Sequence, residues 1–307
     1  MPAAAWSQTW PSKPVRWIVP FPPGGGVDVT TRTIAHRMGA KPGHQFVIDN
    51  RGGANGNIGA EIAAKAPPDG YTLLTATTGI IVINPHLYSK LSFDAVKDLT
   101  PVTPAVDVIN VLVVHPSLPV RSVKELVALA KARPNQLNFA TSGAGGSDHI
   151  ATELFKTMTG VQLVHVPYKG GAPAMVDLIA GNVEVMFATM AVAAGQIKAG
   201  RLRALGLTSS KRYALMPELP TIAEAGVPGY VAAFWFGTFV PAGTPREIVA
   251  RLNSEIRSAL QVPEVQQRLL ESGLIATGST PEEFAAFVQA ESRKWAKLVK
   301  ERGLKAD

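Results

Sequence analysis

The chain has 307 residues, enough for one large domain or two of ordinary size with buried cores. Its hydrophobic content of 46% and charged content of 17% are typical of a soluble globular protein and exclude a disordered chain. The formal net charge of +7 comes from basic residues spread along the sequence, which argues against nucleic-acid binding and favours small anions as ligands.

A glycine-rich loop follows the first predicted strand. Residues 17–19 are an apolar run, and a helix is predicted to begin at Val29 with Asp28 as its N-cap. Such a turn leaves backbone N–H groups pointing outward, with the positive end of the helix dipole behind them. Residues 20–28, the first glycine loop, are therefore a candidate anion site. The alternative is a tight turn that needs positive φ.

Strands and helices alternate after this loop. Strands are predicted at residues 46–48 and 71–75, with a helix at residues 58–65 between them, which indicates a parallel sheet with right-handed crossovers. In such sheets a ligand lies beyond the carboxyl ends of the strands, so Thr78 is expected beside the first glycine loop. Asn84, which precedes a proline, fits a turn and alternatively faces the cleft.

A second loop of the same design lies in the other half of the chain. The strand at residues 108–114 is predicted to carry the chain into a second lobe, followed by a helix at residues 122–131. Residues 141–149 (TSGAGGSDH), the second glycine loop, then join a strand at residues 137–141 to a helix at residues 150–158. Two anion-binding loops, one in each half, suggest two lobes that face one ligand.

The remaining elements complete both lobes. In the second lobe, strands are predicted at residues 163–166, 183–187 and 203–208, with a helix at residues 173–180. Residues 234–240 form the strand that returns the chain to the first lobe. Three helices then follow, at residues 244–260, 265–273 and 280–302. Thr244 and Thr280 are the predicted N-caps of the first and third, each with a capping-box glutamate, and Val265 and Leu269 mark the second.

The first glycine loop also invites a dinucleotide-binding interpretation, because Asp49 ends the next strand where a ribose-binding acid would lie. Residues 24–26 are contiguous glycines, however, and no G-x-G-x-x-G pattern is complete. An NAD-dependent oxidoreductase is the alternative function. Neither a P-loop motif nor G-x-S-x-G is present, and the closeness of His149 to Ser147 in sequence does not make a catalytic triad.

Other site chemistries are excluded by composition. The sequence contains no cysteine, so disulfides, thiolate zinc sites and cysteine nucleophiles are absent. The six histidines form no H-E-x-x-H pair, and no metal or cofactor is expected. No run of about 18 apolar residues is present that would span a membrane. Residues 1–6 resemble the small-residue end of a cleaved signal peptide, although an alanine-rich start explains them equally well.

Five segments resemble one family in sequence and in order. They are residues 17–28 (WIVPFPPGGGVD), 84–88 (NPHLY), 166–170 (VPYKG), 198–205 (KAGRLRAL) and 240–245 (VPAGTP). They are similar to the Bug family, the periplasmic substrate-binding proteins of tripartite tricarboxylate transporters. The resemblance covers the chain from Pro14 onward.

The resemblance implies an α/β, two-lobed periplasmic binding protein fold of the type 2 kind, a Venus flytrap with a mostly parallel sheet in each lobe and the ligand cleft between them. Residues 1–107 and 236–307 would form the first lobe, and residues 108–235 the second. It further implies a periplasmic receptor without catalytic activity. Such a receptor would capture a small carboxylate, either a di- or tricarboxylate or an aromatic acid, and deliver it to the membrane subunits of a transporter.

The resemblance also implies which residues bind the ligand. Backbone N–H groups and ordered water of both glycine loops would hold the carboxylate, and Thr78 and Thr189 would flank it. Tyr168 could contact the ligand, although a tyrosine at a strand end is more often a packing residue. Many relatives carry a polar residue at the position directly after Phe187. This chain has Ala188 there, so a ligand ammonium would lack a partner, which disfavours an amino-acid ligand. The expected ligand-binding residues are Phe21, Pro22, Gly24, Gly25, Gly26, Asp28, Thr78, Asn84, Thr141, Ser142, Gly143, Gly145, Gly146, Ser147, His149, Tyr168 and Thr189.

Overall fold

A computed structural model describes residues 10–302 of the chain. The predicted remnant of a signal peptide, residues 1–6, lies outside these residues. Within them, the strands are β1 Val15–Val19, β2 Phe46–Asn50, β3 Thr72–Thr77, β4 Leu99–Val108, β5 Asn110–Val114, β6 Asn138–Thr141, β7 Val164–Pro167, β8 Val185–Thr189, β9 Arg203–Leu207, β10 Phe234–Pro241 and β11 Leu274–Ala276.

The helices of the described residues alternate with these strands. They are α1 Gly26–Gly39, α2 Asn57–Ala64, α3 Asn84–Leu87, α4 Val123–Ala132, α5 Ser147–Thr159, α6 Gly171–Ala180, α7 Met190–Lys198, α8 Arg246–Leu260, α9 Pro263–Glu271 and α10 Pro281–Arg302. A 3₁₀ turn at Ala54–Gly56 precedes α2, and a π-helical turn at Gly79–Ile83 precedes α3.

The strands form two sheets. One has six strands in the order β11-β4-β10-β3-β1-β2, and the other has five in the order β7-β6-β8-β5-β9. Helices α1, α2, α8, α9 and α10 pack on the first sheet or on one another, and α5, α6 and α7 pack on the second. We call the six-stranded sheet with its helices the first lobe, and the five-stranded sheet with its helices the second lobe.

Both sheets are mixed, although most strands of each sheet run in the same direction, as expected. β1 pairs in parallel with β2 and β3, and β6 pairs in parallel with β7 and β8. The antiparallel pairs all involve β10, β11 or β5. In the first sheet β10 and β11 therefore run opposite to β1, β2, β3 and β4. In the second sheet β5 runs opposite to the other four strands.

The predicted single strand at residues 108–114 is in fact the end of one strand and the whole of another. β4 ends at Val108 in the first sheet, and β5 begins at Asn110 in the second. Ile109 lies between them, and its N–H donates to the carbonyl of Gly273 (2.9 Å) while its carbonyl accepts from Met190 (2.9 Å). The change of sheet therefore takes place at one residue.

Helix caps confirm two of the sequence signals and correct a third. Thr280 accepts from the N–H of Glu283 (3.2 Å) and donates its own N–H to the Glu283 carboxylate (2.9 Å), which is a capping box. Ser122 accepts from the N–H of Glu125 (3.2 Å), but the Glu125 carboxylate accepts from the N–H of Arg121 instead of that of Ser122. Thr244, predicted to cap α8, instead donates its hydroxyl to the carbonyl of Pro241 (2.7 Å). None of the helices among residues 10–302 is both long and apolar enough to cross a membrane.

Candidate functional site

A cleft opens between the lobes at the carboxyl ends of β1, β3, β6 and β8. The space between its walls is about 660 Å³ when the part that is open to solvent is included. Residues that follow each of these strands line it. The carboxyl ends of strands are where open α/β sheets bind ligands. The cleft is therefore the candidate binding site.

Helix α1 begins at the cleft. Gly25 is its N-cap residue, with φ −83° and ψ 171°, and Gly25, Gly26 and Val27 all line the cleft. Within residues 10–302, the backbone N–H groups of these three residues have no hydrogen-bond partner. They are the donors that a helix N-terminus leaves unsatisfied, and they carry the positive end of the helix dipole. A carboxylate in the cleft can accept hydrogen bonds from them.

Asp28 is not the N-cap of α1, because the helix begins at Gly26, three residues earlier than predicted. Its carboxylate instead accepts bonds from Gly24 N–H (3.0 Å), Arg32 Nε (2.9 Å) and Asn50 Nδ2 (3.0 Å). Burial alone would raise the pKa of Asp28, but these bonds outweigh burial and lower the pKa. Asp28 thus stabilises the loop from behind, and the N–H group of Gly24 is not free for a ligand.

The second glycine loop uses most of its own N–H groups internally. Four of them donate within the loop: Ser142 to Asp148 Oδ2, Gly143 to Thr141 Oγ1 (3.3 Å), Gly145 to His149 Nδ1 (3.0 Å) and Gly146 to the carbonyl of Gly143 (3.1 Å). The N–H groups at the cleft that have no partner in the described part of the chain are those of Ser147 and Asp148. Both belong to the first turn of α5, so the free donors come from the helix and not from the glycines.

Asp148 is the titratable side chain that lines the cleft. It is 3% exposed, and besides the N–H of Ser142 it accepts the Ser142 hydroxyl (2.9 Å) and the N–H of His149 (2.9 Å). Burial raises the pKa of Asp148 to about 6, although these bonds oppose it. Among residues 10–302, no lysine, arginine or histidine lines the cleft. An anionic ligand would therefore contact backbone amides and not a side-chain cation.

Two stacked histidines lie behind the second glycine loop. The ring centroids of His149 and His165 are 4.4 Å apart, and His165 stacks in turn on Phe139 at 4.9 Å. His165 Nε2 lies 2.6 Å from Thr141 Oγ1. Burial is the main cause that lowers the pKa of each histidine to about 4, and nearby Lys156 adds to it. Both rings are therefore neutral at pH 7 and position the loop.

Two further helices begin at the cleft. Gly171 and Ala172 form the start of α6, and Thr189 is the N-cap residue of α7. Sequence reasoning predicted that α6 starts at Pro173 and missed this contribution, although the Gly170-Gly171 doublet after a strand is the same signal as in the first glycine loop. Together with α1 and α5, these helices direct four N-termini toward one cleft.

The predicted ligand-binding residues fall into three groups. Those that line the cleft are Phe21, Pro22, Gly25, Gly26, Thr78, Ser142, Gly146, Ser147 and Thr189. Gly143 and Tyr168 line a second space beside the cleft, which we call the outer chamber. Other residues that line the outer chamber are Phe21, Asn55, Tyr88 and Lys169. The third group lines neither the cleft nor the outer chamber, and it consists of Gly24, Asp28, Asn84, Thr141, Gly145 and His149. Contact with a ligand stays a prediction for all of them.

Two of these residues have their polar groups engaged elsewhere. The hydroxyl of Thr78 accepts from the N–H of Trp235 (2.8 Å) and donates to its carbonyl (3.0 Å), so Thr78 fixes β10 beside the cleft. The hydroxyl of Tyr168 donates to Asp177 (2.6 Å), and burial, together with this carboxylate, raises the pKa of Tyr168 to about 12. Tyr168 is therefore held in place by the second lobe itself.

Sequence reasoning missed the residues that reach the cleft from distant elements. Phe236 on β10 lies against Gly26, with its ring 3.2 Å from the point that a Cβ on Gly26 would occupy. Asn55 lines both the cleft and the outer chamber, and its φ of 49° is left-handed. The Asn55-Gly56 pair was visible as a turn signal, but nothing local indicated that it reaches the second lobe.

A family model and a sequence relative of this chain both indicate the same protein family. A family model described as "Tripartite tricarboxylate transporter family receptor" (TctC) matches residues 30–304. Protein BugT of Bordetella pertussis is 38% identical over 300 residues, which cover 97% of this chain and 92% of BugT.

Two solved structures extend the match to the fold. Rpa4515 of R. palustris, described with adipate, gives a TM-score of 0.94 at 42% identity and covers 96% of this chain and 99% of its own. MatC from Rhodopseudomonas palustris, described with bound malate, gives a TM-score of 0.89 at 31% identity, covering 94% of this chain and 100% of its own. These proteins confirm the periplasmic binding protein fold, and the comparisons give no support to an NAD-dependent oxidoreductase. The chain belongs to the tripartite tricarboxylate transporter receptor family, the family of the Bug proteins, as the resemblance in its sequence implied.

Proposed function

We propose that the protein is a periplasmic receptor without catalytic activity, which captures a small carboxylate between its lobes and delivers it to the membrane subunits of a tripartite tricarboxylate transporter. One observation carries this proposal. Unpaired N–H groups of α1 in the first lobe and of α5 in the second lobe line the same cleft, and no basic side chain of the described residues lies there. The relatives described with adipate and with malate support the same class of ligand.

A ligand that bridges the lobes would favour their closure. A carboxylate has about four acceptor sites, so one group can accept from Gly26 and from Ser147 together. Hydrogen bonds to a charged group contribute about 1.5–3 kcal/mol each, and those that exist only in the closed state shift the population toward it. In this proposal the lobes comprise residues 1–107 with 236–307, and residues 108–235, and the ligand contacts come from the predicted residues that line the cleft.

The rest of the cleft suits the carbon skeleton of such an acid. Val27, Met186, Val192 and Phe236 line it alongside the helix N-termini. Apolar side chains with a few oriented polar groups are the usual composition of a small-molecule site. A dicarboxylate with an aliphatic chain, or an aromatic acid, fits this lining better than a small ammonium-bearing ligand, for which the cleft provides one acidic side chain, Asp148.

Isothermal titration calorimetry tests the proposal. Adipate, malate, benzoate, glutamate, NAD and adipamide would each be titrated into the protein. We expect saturable binding of at least one of the acids without turnover, and no binding of adipamide, because the neutral diamide does not carry the charge that the N–H groups stabilise. Binding of NAD alone, or chemical conversion of any acid, would contradict the receptor function.

A further inference from the structure

The lobes also contact each other beside the cleft. Tyr88, from the segment after β3, donates its hydroxyl to the carbonyl of Ala144 in the second glycine loop (3.1 Å). Gly145 approaches the first lobe so closely that a Cβ at this position would overlap Asn84 Oδ1 and would lie 3.1 Å from Asn55 Nδ2. These contacts involve groups that lie outside the surface of the cleft, apart from Asn55.

Asn84 is the centre of a buried polar network on the first-lobe side of this contact. Its Oδ1 accepts from Asn55 Nδ2 (3.1 Å), and its Nδ2 donates to Asn57 Oδ1 (2.7 Å). Asn84 is 0% exposed, and Asn55 and Asn57 are each 7% exposed. The second lobe shields part of this network from water, so separation of the lobes would hydrate it.

The backbone that presents Asn55 is strained. Ala54 and Asn55 both have left-handed φ values, 46° and 49°, which non-glycine residues adopt at a cost. This conformation places Asn55 against the second glycine loop, 3.5 Å from the point that a Cβ on Gly143 would occupy. Strain of this kind persists where surrounding contacts fix the conformation, and here those contacts come from both lobes.

We propose that Asn55, Asn84 and Tyr88 form a clasp that holds the second glycine loop against the first lobe and thereby sets how long the closed receptor retains its ligand. Asn84 and Tyr88 are positioning residues in this account, which replaces the predicted ligand contact of Asn84. The nature of the retained ligand rests on the function proposed above. The existence of the clasp rests on contacts between the lobes alone.

Two variants test the clasp. Tyr88→Phe removes the hydroxyl, and we expect the Kd for adipate to rise about fivefold, the usual effect of one neutral hydrogen bond. Gly145→Ala places a methyl group where Asn84 lies in the closed state, and we expect a rise of at least tenfold. In both, the rise should come from a faster dissociation rate, with the association rate little changed.

Gly160→Ala is the matched control for Gly145→Ala. Gly160 ends α5 in the same lobe and is also left-handed, with φ 73°, but a Cβ there would meet nothing within 4 Å. Both alanine variants carry the same kind of backbone strain and should lose similar thermal stability. Only Gly145→Ala should lose affinity. In the double variant Asn84→Ala/Gly145→Ala, part of the affinity lost to Gly145→Ala should return, because the overlapping oxygen is gone.

Closure itself is measured independently of affinity. Because the chain has no cysteine, the exposed Lys65 in the first lobe and Lys131 in the second can be changed to cysteine and labelled for single-molecule energy transfer. With adipate present, the closed fraction should fall at least twofold in Tyr88→Phe and Gly145→Ala relative to the unsubstituted chain and Gly160→Ala.

The outcomes separate the clasp from the receptor function. Equal closed fractions and dissociation rates in all variants would overturn the clasp, as would a chain whose lobes never close. If the lobes close without adipate, and Tyr88→Phe and Gly145→Ala reduce that closed fraction, the clasp is supported even if no carboxylate binds. In that case the receptor function fails and the clasp stands.

Discussion

At the scale of single residues, the titratable groups in and behind the second glycine loop change stability in opposite ways as the pH changes. The pKa of His149 and that of His165 lie near 4 in the folded chain, below the usual 6.5. Each histidine therefore lowers the free energy of unfolding as the pH falls from 6.5 to 4, because the unfolded chain takes up the proton first. The pKa of Asp148 is raised to about 6 from 3.8, so its contribution is fully present below pH 3.8 and is lost as the pH rises through 6. Near pH 5 the unfolded chain binds two protons at these sites and the folded chain one.

The first prediction follows from this proton count. The free energy of unfolding, measured by urea titration, should fall between pH 6.5 and pH 4.5. His149→Asn keeps an acceptor for the N–H of Gly145 but cannot titrate, so its pH slope should be smaller by up to about 1.4 kcal/mol per pH unit. Lys156 and Glu153 also face His149, and the variant leaves both unchanged. A steeper slope in the variant would contradict the assignment.

The second prediction concerns two threonines that face each other across neighbouring strands. Thr75 and Thr238 are paired in the first sheet and are buried. The hydroxyl of Thr75 accepts from Trp17 Nε1 (2.9 Å) and from Thr31 Oγ1 (2.8 Å), whereas that of Thr238 has no partner among the described residues. Thr75→Val leaves the buried indole N–H of Trp17 unpaired, at a cost of about 1–3 kcal/mol.

The matched variant Thr238→Val removes a hydroxyl that already lacks a partner. Its free energy of unfolding should therefore be unchanged or higher than that of the unsubstituted chain. Differential scanning calorimetry of both variants makes the comparison, since each replaces one buried threonine with a valine of similar shape. Equal losses in the two variants would show that shape, and not hydrogen bonding, decides stability here.

At the scale of elements, the start of α1 offers the sharpest test of the site. Gly25 has an ordinary φ, and a Cβ there would meet nothing within 4 Å, because it would project into open space at the cleft. Gly25→Val should therefore weaken adipate binding at least a hundredfold by obstructing the free N–H groups. The cost in stability should stay near 1 kcal/mol, the effect of a poorer N-cap.

Gly195→Val is the control for that substitution. Gly195 is exposed in α7, away from the cleft, and a Cβ there also meets open space. Calorimetric titration should find adipate affinity within twofold of the unsubstituted chain. If Gly25→Val binds equally well, the N-terminus of α1 does not contact the ligand.

The two glycine loops were predictable because their signals are local, with strand, glycines and helix following one another in sequence. β4 was missed because Pro101 and Pro104 argue against a strand; the register of β4 with β10 shifts beside both prolines, and the strand accommodates them there. Which N–H groups remain free could not be predicted. The answer depends on where the side chains of Asp28, Asp148 and His149 turn, and that is decided by three-dimensional packing.

At the scale of the whole molecule, the lobes share one hydrophobic core. A continuous cluster of buried residues runs from Trp17 and Leu74 in the first lobe, past Phe234, to Phe139 and Phe187 in the second. A second, smaller cluster covers the other face of the five-stranded sheet. Because the main cluster includes both sheets, we expect the lobes to unfold together, even though the proposed function has them close over the ligand as separate bodies.

Tryptophan fluorescence can test this expectation, since four of the five tryptophans belong to the first lobe. The tryptophans of the described residues, Trp10, Trp17, Trp235 and Trp295, all lie in or against the first lobe, whereas far-UV circular dichroism reports on both. The urea midpoints of the two signals should coincide. Adipate at a hundred times its Kd should raise the free energy of unfolding by about 2.7 kcal/mol in both signals. If the fluorescence midpoint separates from the circular dichroism midpoint, the second lobe unfolds on its own and the shared core does not couple the lobes.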